Sequence, residues 1–400
     1  MKRVTLLRLP ALFLGIGIGL AATTAWSASY QIDTVMTGLV TPRGLAFAPD
    51  GSLYVAEVGK GGGVGAPSLV GGTGTSYFGY TGAVSRLFEG TQTRVLTGLP
   101  SLAGASGADA AGLQDILFDA GGQAYGLFGL GASSAQRDAL GAFGASYLGT
   151  LSRLGLDGSG TVTKVADVAK YETTANPDGG AIDSNPFKFV RRADGSFVVT
   201  DAGGNSFVKM ASDGALSTLG VLPAQPNPLP FGPPFYQAVP TGVAIGPGGN
   251  TFVGQLTGFP FPPGAANVYR QAAGGGAIDT VYTGFTNIID LDFDSAGNLY
   301  VLQISSNGLA SPSGPGTGLL LKIDGKTGER TTIASDGLLF PGGLAIQEGP
   351  NGPVFYVSNL TAMPEGGTVL RIAPVPEPGA WALMLAGLAS LAVVARRRRG

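Results

Sequence analysis

A two-strand phrase, repeated along the chain, constrains this sequence more than any other feature. It consists of an apolar strand, a tight turn ending in Gly, and a second strand of alternating apolar residues. The first copy reads Arg43-Gly-Leu-Ala-Phe-Ala-Pro-Asp-Gly-Ser-Leu-Tyr-Val-Ala-Glu57. Further copies span Asp115–Leu127, Phe187–Asp201, Thr241–Gln255, Ile289–Gln303 and, more loosely, Gly343–Asn359. The turn glycines stand at 51, 122, 195, 249, 297 and 352, with spacings of 71, 73, 54, 48 and 55. A third strand follows each copy and ends in a base: Arg86, Arg153, Lys209, Arg270, Lys322 and Arg371. Fourth strands can be read at Arg94–Thr97 and Thr331–Ala334.

Units of about four strands, repeated about six times, predict an all-β chain folded as a six-bladed β-propeller over residues 29–374. The last unit has no room for a fourth strand after Arg371. The segment Tyr30–Met36 can supply it, so the N-terminal strand is expected to close the ring and cover its open edges. Insertions explain the long spacings. Gly61–Gly79 reads as a Gly-rich loop, Ser133–Leu140 as a short helix, and Pro223–Pro234 as a Pro-rich connection.

Composition narrows the chemistry. The chain has 68 Gly and 27 Pro in 400 residues, 12% charged residues and 44% hydrophobic ones. That is enough apolar content for a large core and too little charge for a disordered chain. There is no His and no Cys, which excludes His-ligated zinc, a Ser-His-Asp triad, a Cys nucleophile and disulfides. A net charge of −2 offers no basic footprint for nucleic acid.

The two ends read as addresses. Lys2, Arg3 and Arg8 precede an apolar run, Leu9–Ala22, and small residues around Ala25, Ser27 and Ala28. This is the layout of a secretory signal peptide over residues 1–28. The C-terminus, residues 375–400, reads Val375-Pro376-Glu377-Pro378, an apolar segment 379–395, and then Arg396, Arg397, Arg398 and Arg399. The apolar segment has the minimum length for a transmembrane helix, and the arginines would hold its end in the cytoplasm. This order resembles the PEP-CTERM sorting signal of Gram-negative bacteria. The resemblance implies signal peptidase and exosortase as processing enzymes, a transient stay in the inner membrane, and a final place at the cell surface or in the extracellular matrix.

The body also resembles a family. Its blade phrase is similar to NHL and gluconolactonase-type propellers. More specific strings are Thr41-Pro-Arg-Gly-Leu-Ala-Phe47, Thr91–Ser101, Asn176-Pro-Asp-Gly-Gly-Ala-Ile-Asp-Ser-Asn-Pro186, Asp201-Ala-Gly-Gly-Asn205, Gln255–Pro262 and Gly284–Leu291. From about Tyr30 to Ile372 these resemble the ScyD/ScyE family, named for proteins encoded with scytonemin pigment biosynthesis. That resemblance implies a propeller and export, and leaves the substrate open.

Candidate site residues follow from the repeat. Inner strands and their loops surround a propeller's channel, and the polar groups placed there are Glu57, Asp115, Asn185, Asp201, Gln255, Asn287, Asp290, Asp292 and Asn359. Oxygen ligands from several blades could hold Ca²⁺, which needs neither His nor Cys. Glu57, Asp201 and Asn287 are the first candidate metal ligands. In the lactonase propellers that the chain resembles, a central metal polarises a carbonyl and a carboxylate moves protons. The alternative for any one Asp is a turn cap. Asp50, Asp194 and Asp213 lie in Asp-Gly turns and read as structural. The bases repeated once per blade read the same way. Arg43 occurs in one copy and is a better channel candidate. Phe231, Tyr236, Phe259 and Phe261, set among prolines, could stack on sugars or simply cover one face of the propeller. Two functions remain open at this level. One is an exported binding or scaffold protein for an exopolysaccharide or surface protein. The other is a Ca²⁺-dependent lactonase-like hydrolase acting through the channel.

Overall fold

A computed structural model of the chain describes residues 29–375 except position 73, together with positions 387, 388 and 396. The expected signal peptide, 1–28, lies outside the described residues. So do Pro376, Glu377, Pro378, Arg397, Arg398, Arg399 and nearly all of the apolar segment 379–395. Among the described residues no helix is long and apolar enough to cross a membrane.

Six antiparallel sheets surround a central channel. Their inner strands are Pro42–Phe47, Leu113–Phe118, Pro186–Arg191, Pro240–Ile245, Ile288–Phe293 and Gly343–Gln347, which define blades one to six. In blade three, for example, the chain runs outward through Phe197–Asp201, Ser206–Met210 and Leu216–Val221. The predicted six-bladed architecture is therefore the observed one.

Each tight turn works as its residues dictate. Gly51, Gly122, Gly195 and Gly297 adopt φ between 81° and 83°, which is free of steric cost only for Gly. The preceding carboxylates cap the turns: Asp50 accepts from the Ser52 amide at 2.9 Å and Asp194 from the Ser196 amide at 2.9 Å. The repeated bases recur on third strands, where Arg86 pairs with Asp50 at 2.9 Å and Lys209 with Asp194 at 3.5 Å.

The core lies between blades. Second strands are buried along both faces because a neighbouring blade covers each side, as in Leu53–Glu57, Thr251–Gln255 and Leu299–Gln303. One apolar cluster fills every junction. Tyr54 and Ile116 belong to that between blades one and two, Leu127 and Phe189 to that between two and three, and Val198 and Val243 to that between three and four. Phe252 and Val301 follow between four and five, Leu302 and Phe355 between five and six, and Val369 and Val55 between six and one. No blade buries its faces alone, so the ring must be complete to be stable.

Closure comes from the N-terminus. Tyr30–Leu39 pairs antiparallel with Gly367–Pro374 as the outermost strand of blade six, with Ile32 opposite Ile372. Met36 and Leu39 are fully buried against blade one. The segment 61–79 differs from its expected loop. Ser68–Gly71 pairs with Gly74–Tyr77 and extends blade one as a hairpin. The cause is its apolar content: Leu69 and Phe78 bury against Leu102, Leu130 and Leu148. The expected short helix is present at Ser134–Ala139, where Ser133 and Gln136 form a reciprocal cap. A second helix, Val168–Ala175, was not anticipated; the Asp167 side chain caps it by accepting from the Lys170 amide at 3.0 Å.

Removing residues 30–39 should expose the edge of Gly367–Pro374 and part of the junction between blades six and one. The shortened protein is expected to aggregate or self-associate on size-exclusion chromatography. A monomer with an unchanged melting temperature would contradict the closure role.

Candidate functional site

Alignment of the blades on the pairing of their first two strands brings one position of each inner strand to the same level of the channel: Gly44, Asp115, Lys188, Gly242, Asp290 and Gly343. Three of the six are glycines and three are charged, and the glycines have a steric reason. A Cβ on Gly44 would stand 1.9 Å from Asp115 Oδ1, one on Gly343 2.5 Å from the Arg43 carbonyl oxygen, and one on Gly242 2.8 Å from the Leu291 amide nitrogen. The missing side chain at Gly44 leaves room for the Asp115 carboxylate, and those missing at Gly242 and Gly343 let neighbouring inner strands approach closely.

Those charged groups meet at the centre. Lys188 donates to Asp290 Oδ2 at 2.6 Å, across the channel from blade three to blade five. Its ammonium lies 3.7 Å from Asp115 Oδ1, close enough for an ion pair and too far for a hydrogen bond. Asp290 also accepts from the amides of Leu291 and Leu344, each at 2.8 Å, and Asp115 accepts from the Phe189 amide at 3.2 Å. Both aspartates are about 1% exposed. The two carboxylates hold the Lys188 ammonium firmly in its charged form. Burial, reinforced by the like charge of Asp290, pushes the Asp115 carboxyl up to about 7. Burial pushes Asp292, one layer further along, up to about 6.

On the side of Asp292 the channel holds a cavity of about 230 Å³. Its wall is largely apolar, with Ala46, Leu117, Val190, Ala244 and Ala345 beside Asp292. Arg43, on the first inner strand, donates to Thr361 Oγ1 of blade six at 3.3 Å, and burial lowers its pKa to about 10.

The candidate metal ligands stand elsewhere. Glu57 is fully buried at the end of a second strand. It accepts from Ser85 Oγ (2.6 Å), the Val40 amide (2.7 Å) and Arg94 (Nε at 2.9 Å, Nη2 at 2.7 Å). Asp201 holds the same register position in blade three and accepts from Ser184 Oγ (2.6 Å) and from the amides of Asn185 (2.7 Å) and Gly204 (3.2 Å). Asn287 donates to the Leu256 carbonyl at 2.7 Å and accepts from the Leu309 amide at 3.2 Å. These three residues belong to blades one, three and five and are occupied by hydrogen bonds to nearby segments, Asn287 reaching back to blade four. Among the described residues no group of three or more acidic side chains is placed to hold a metal ion.

Gln303 and Asn359, also at the ends of second strands, take the amides of Thr286 (2.8 Å) and Leu339 (2.7 Å), while Gln255 accepts from Asn267 and the Tyr269 hydroxyl, each at 3.1 Å. Asn185 accepts from the Leu130 amide at 3.2 Å. Glu57, Asp201, Gln303 and Asn359 thus act as recurrent latches on the segment that leads into each blade. Of the aromatic candidates, Phe231 and Phe259 are exposed with ring centroids 6.4 Å apart, whereas Tyr236 is buried and presents no rim.

Sequence reasoning placed Asp115, Asp290 and Asp292 in the channel and missed Lys188. The signal was available: seven residues before the turn glycine, the other well-aligned copies carry Gly or Asp and this one carries Lys.

Asp115 and Asp292 titrate higher in the folded chain than their ordinary value of 3.8. Protonation therefore favours the folded state. The contribution is complete below about pH 4 and is lost as pH rises through about 6 to 7. Asp292→Asn should flatten the fall in melting temperature over this range and stabilise the protein at about pH 8, by on the order of 1 kcal/mol. An unchanged slope would contradict the assignment.

Comparison with known proteins agrees with both halves of this description. Residues 374–399 match the PEP-CTERM protein-sorting motif. No curated protein matches the chain in sequence. Among solved structures, the chain is similar in fold to a gluconolactonase from Xanthomonas campestris, with 13% identity and a TM-score of 0.51 over 86% of this chain and 90% of the other. It is likewise similar to regucalcin, a calcium-binding protein from Agrobacterium tumefaciens, with 12% identity and a TM-score of 0.51 over 88% and 97% of the two chains. At such identities the likeness establishes a shared propeller fold. The chain is an exported protein with a PEP-CTERM exosortase-sorting signal on a six-bladed β-propeller.

Proposed function

We propose that this protein is a ScyD/ScyE-like binding or scaffold propeller, released from its inner-membrane anchor and displayed at the cell surface or in the extracellular matrix. Residues 1–28 act as a signal peptide, 29–374 as the propeller and 375–400 as the sorting segment. The observation that carries the binding reading is the Asp115–Lys188–Asp290 cluster at the channel centre. A lysine ammonium already occupies the position between the two carboxylates, and electrostatic repulsion disfavours a metal ion beside it. The cavity next to it, about 230 Å³, is below the roughly 300–1,000 Å³ of ordinary small-molecule sites. Interaction is thus assigned to the outer faces, where Phe231 and Phe259 offer exposed rings to an exopolysaccharide or surface protein.

A Ca²⁺-dependent hydrolase built on Glu57, Asp201 and Asn287 would require all three to give up their present partners and converge from different blades. The residues as placed do not fit that group.

The sorting half of the proposal is tested by fractionating producing cells and reading the C-terminus by mass spectrometry. Surface or medium fractions should contain a form lacking Arg396–Arg399. Full-length protein found only in the inner membrane would overturn it.

A further inference from the structure

A trough of about 570 Å³ lies at the end of the ring opposite the tight turns, where the start of the blade-one insertion meets the connection from blade one to blade two. Glycine shapes its floor. The segment 61–63 lies directly against the long third strand of blade one, Gly74–Phe88. A Cβ on Gly61 would stand 2.4 Å from the Tyr77 carbonyl oxygen, one on Gly62 2.1 Å from the Phe78 carbonyl oxygen, and one on Gly79 2.5 Å from the Gly61 carbonyl carbon. The two backbones therefore touch with no side chain between them, and the floor is main chain. The Gly61 amide donates to Ser101 Oγ at 3.1 Å and the Gly62 amide to the Tyr77 carbonyl at 3.3 Å. Among the described residues, the Gly63 amide has no backbone partner.

An aromatic ring borders this floor and is held in place. Tyr80 lines the trough and is 49% exposed. Its hydroxyl donates to the Phe143 carbonyl at 2.8 Å, and its ring meets Phe78 edge-on with centroids 5.2 Å apart. A Cβ on Gly144 would stand 3.8 Å from Tyr80 Cε1, so the ring edge is also backed by main chain. A ring fixed by these contacts loses little freedom when a ligand covers it. Lys60, Ser106 and Gly107 also line the trough, and a Cβ on Gly107 would meet Lys60 Cβ at 3.4 Å. Lys60 is the one charged residue of the lining, and Glu365, between the second and third strands of blade six, pairs with it. The lining is thus polar without carrying a free charge.

We propose that this trough is a carbohydrate subsite, in which a pyranose ring of a neutral exopolysaccharide chain stacks on Tyr80. A sugar ring presents C–H groups on its faces and hydroxyls around its edge. The faces suit a fixed aromatic ring, and the hydroxyls suit a main-chain floor and the Ser106 hydroxyl. The volume lies within the roughly 300–1,000 Å³ of ordinary ligand sites, unlike the channel cavity. An ionic ligand would have to displace Glu365 from Lys60, whereas a neutral one leaves that pair intact. Gly62, Tyr80, Ala105 and Ser106 are all exposed, so the trough is open enough for a polymer to pass through. The inference rests on the surface-display reading and deepens it, by naming the ligand class and a site on blade one.

The test measures binding of the protein, purified from its producing cells, to exopolysaccharide from the same cells immobilised on a sensor surface. Saturable binding is expected, and about 0.5 M NaCl should leave it unchanged, because salt screens only charges. Tyr80→Ala should weaken binding about tenfold, the loss of one stacking contact. Ala105→Trp, at an exposed position of the lining, should fill the trough and weaken binding at least as much with an unchanged melting temperature, so the test stands even if Tyr80→Ala fails to fold. Asp213→Asn, in an exposed turn, should bind normally. Full binding by folded Tyr80→Ala and Ala105→Trp, with loss in Phe259→Ala, would overturn this site and leave surface display standing. A steep loss of binding in salt would overturn the neutral ligand. No binding by the unmodified protein, while surface fractions contain the form lacking Arg396–Arg399, would overturn the ligand class and not the display reading.

Discussion

Lys188 sits where the inner strands converge, and its ammonium is shared between carboxylates that belong to blades two and five. The arrangement links blades that are not neighbours in the ring, which apolar packing between adjacent blades cannot do. Asp115 and Asp290 extend the connection outward through the Phe189 and Leu344 amides. Threonine hydroxyls continue it: Thr200 donates to the Thr241 carbonyl at 2.6 Å, and Thr241 donates to the Ile288 carbonyl at 2.6 Å. Gly44 leaves the space that the Asp115 carboxylate fills, and Gly242 and Gly343 allow the inner strands to converge around the cluster. A buried ion pair is not by itself a source of stability, since desolvation offsets much of the Coulomb gain. Its clearer effect is on specificity: removing one member would leave the others buried and uncompensated.

The architecture was legible because a propeller writes its plan in period. Turn glycines and third-strand bases recur once per blade, and the deficit after Arg371 pointed to Tyr30–Met36 as the closing strand. The site was less legible because the same periodicity hides it. Glu57 and Asp201 looked like converging ligands, yet they occupy a position repeated from blade to blade, where the side chain latches a backbone amide. The recurrence that marked the bases as structural applied equally to these acids. Lys188 was overlooked because nothing in its own segment, Phe187–Val190, sets it apart; its role depends on residues 73 positions before it and 102 after it. The pairing of 68–71 with the strand after it was masked by glycines at 71, 72 and 74, although Leu69 and Phe78 carried the apolar signal.

Destination and fold are encoded separately. Seven of the 24 bases lie in the two terminal segments, so the propeller between them is distinctly acidic. With neither His nor Cys, its polar interior relies on carboxylates, amides, hydroxyls and a few buried bases. Such an interior can hold a buried carboxylate against a buried cation. The channel uses Lys188.

The most direct test of this account is a double-mutant cycle between Lys188 and Asp290, with Lys188→Met and Asp290→Asn measured by denaturant unfolding. If the shared ammonium organises the channel, Lys188→Met alone should cost about 3–5 kcal/mol. The two substitutions should then couple by about 1–3 kcal/mol, because the second removes the charge that the first leaves stranded. Coupling near zero, with Lys188→Met as stable as the unmodified protein, would contradict it.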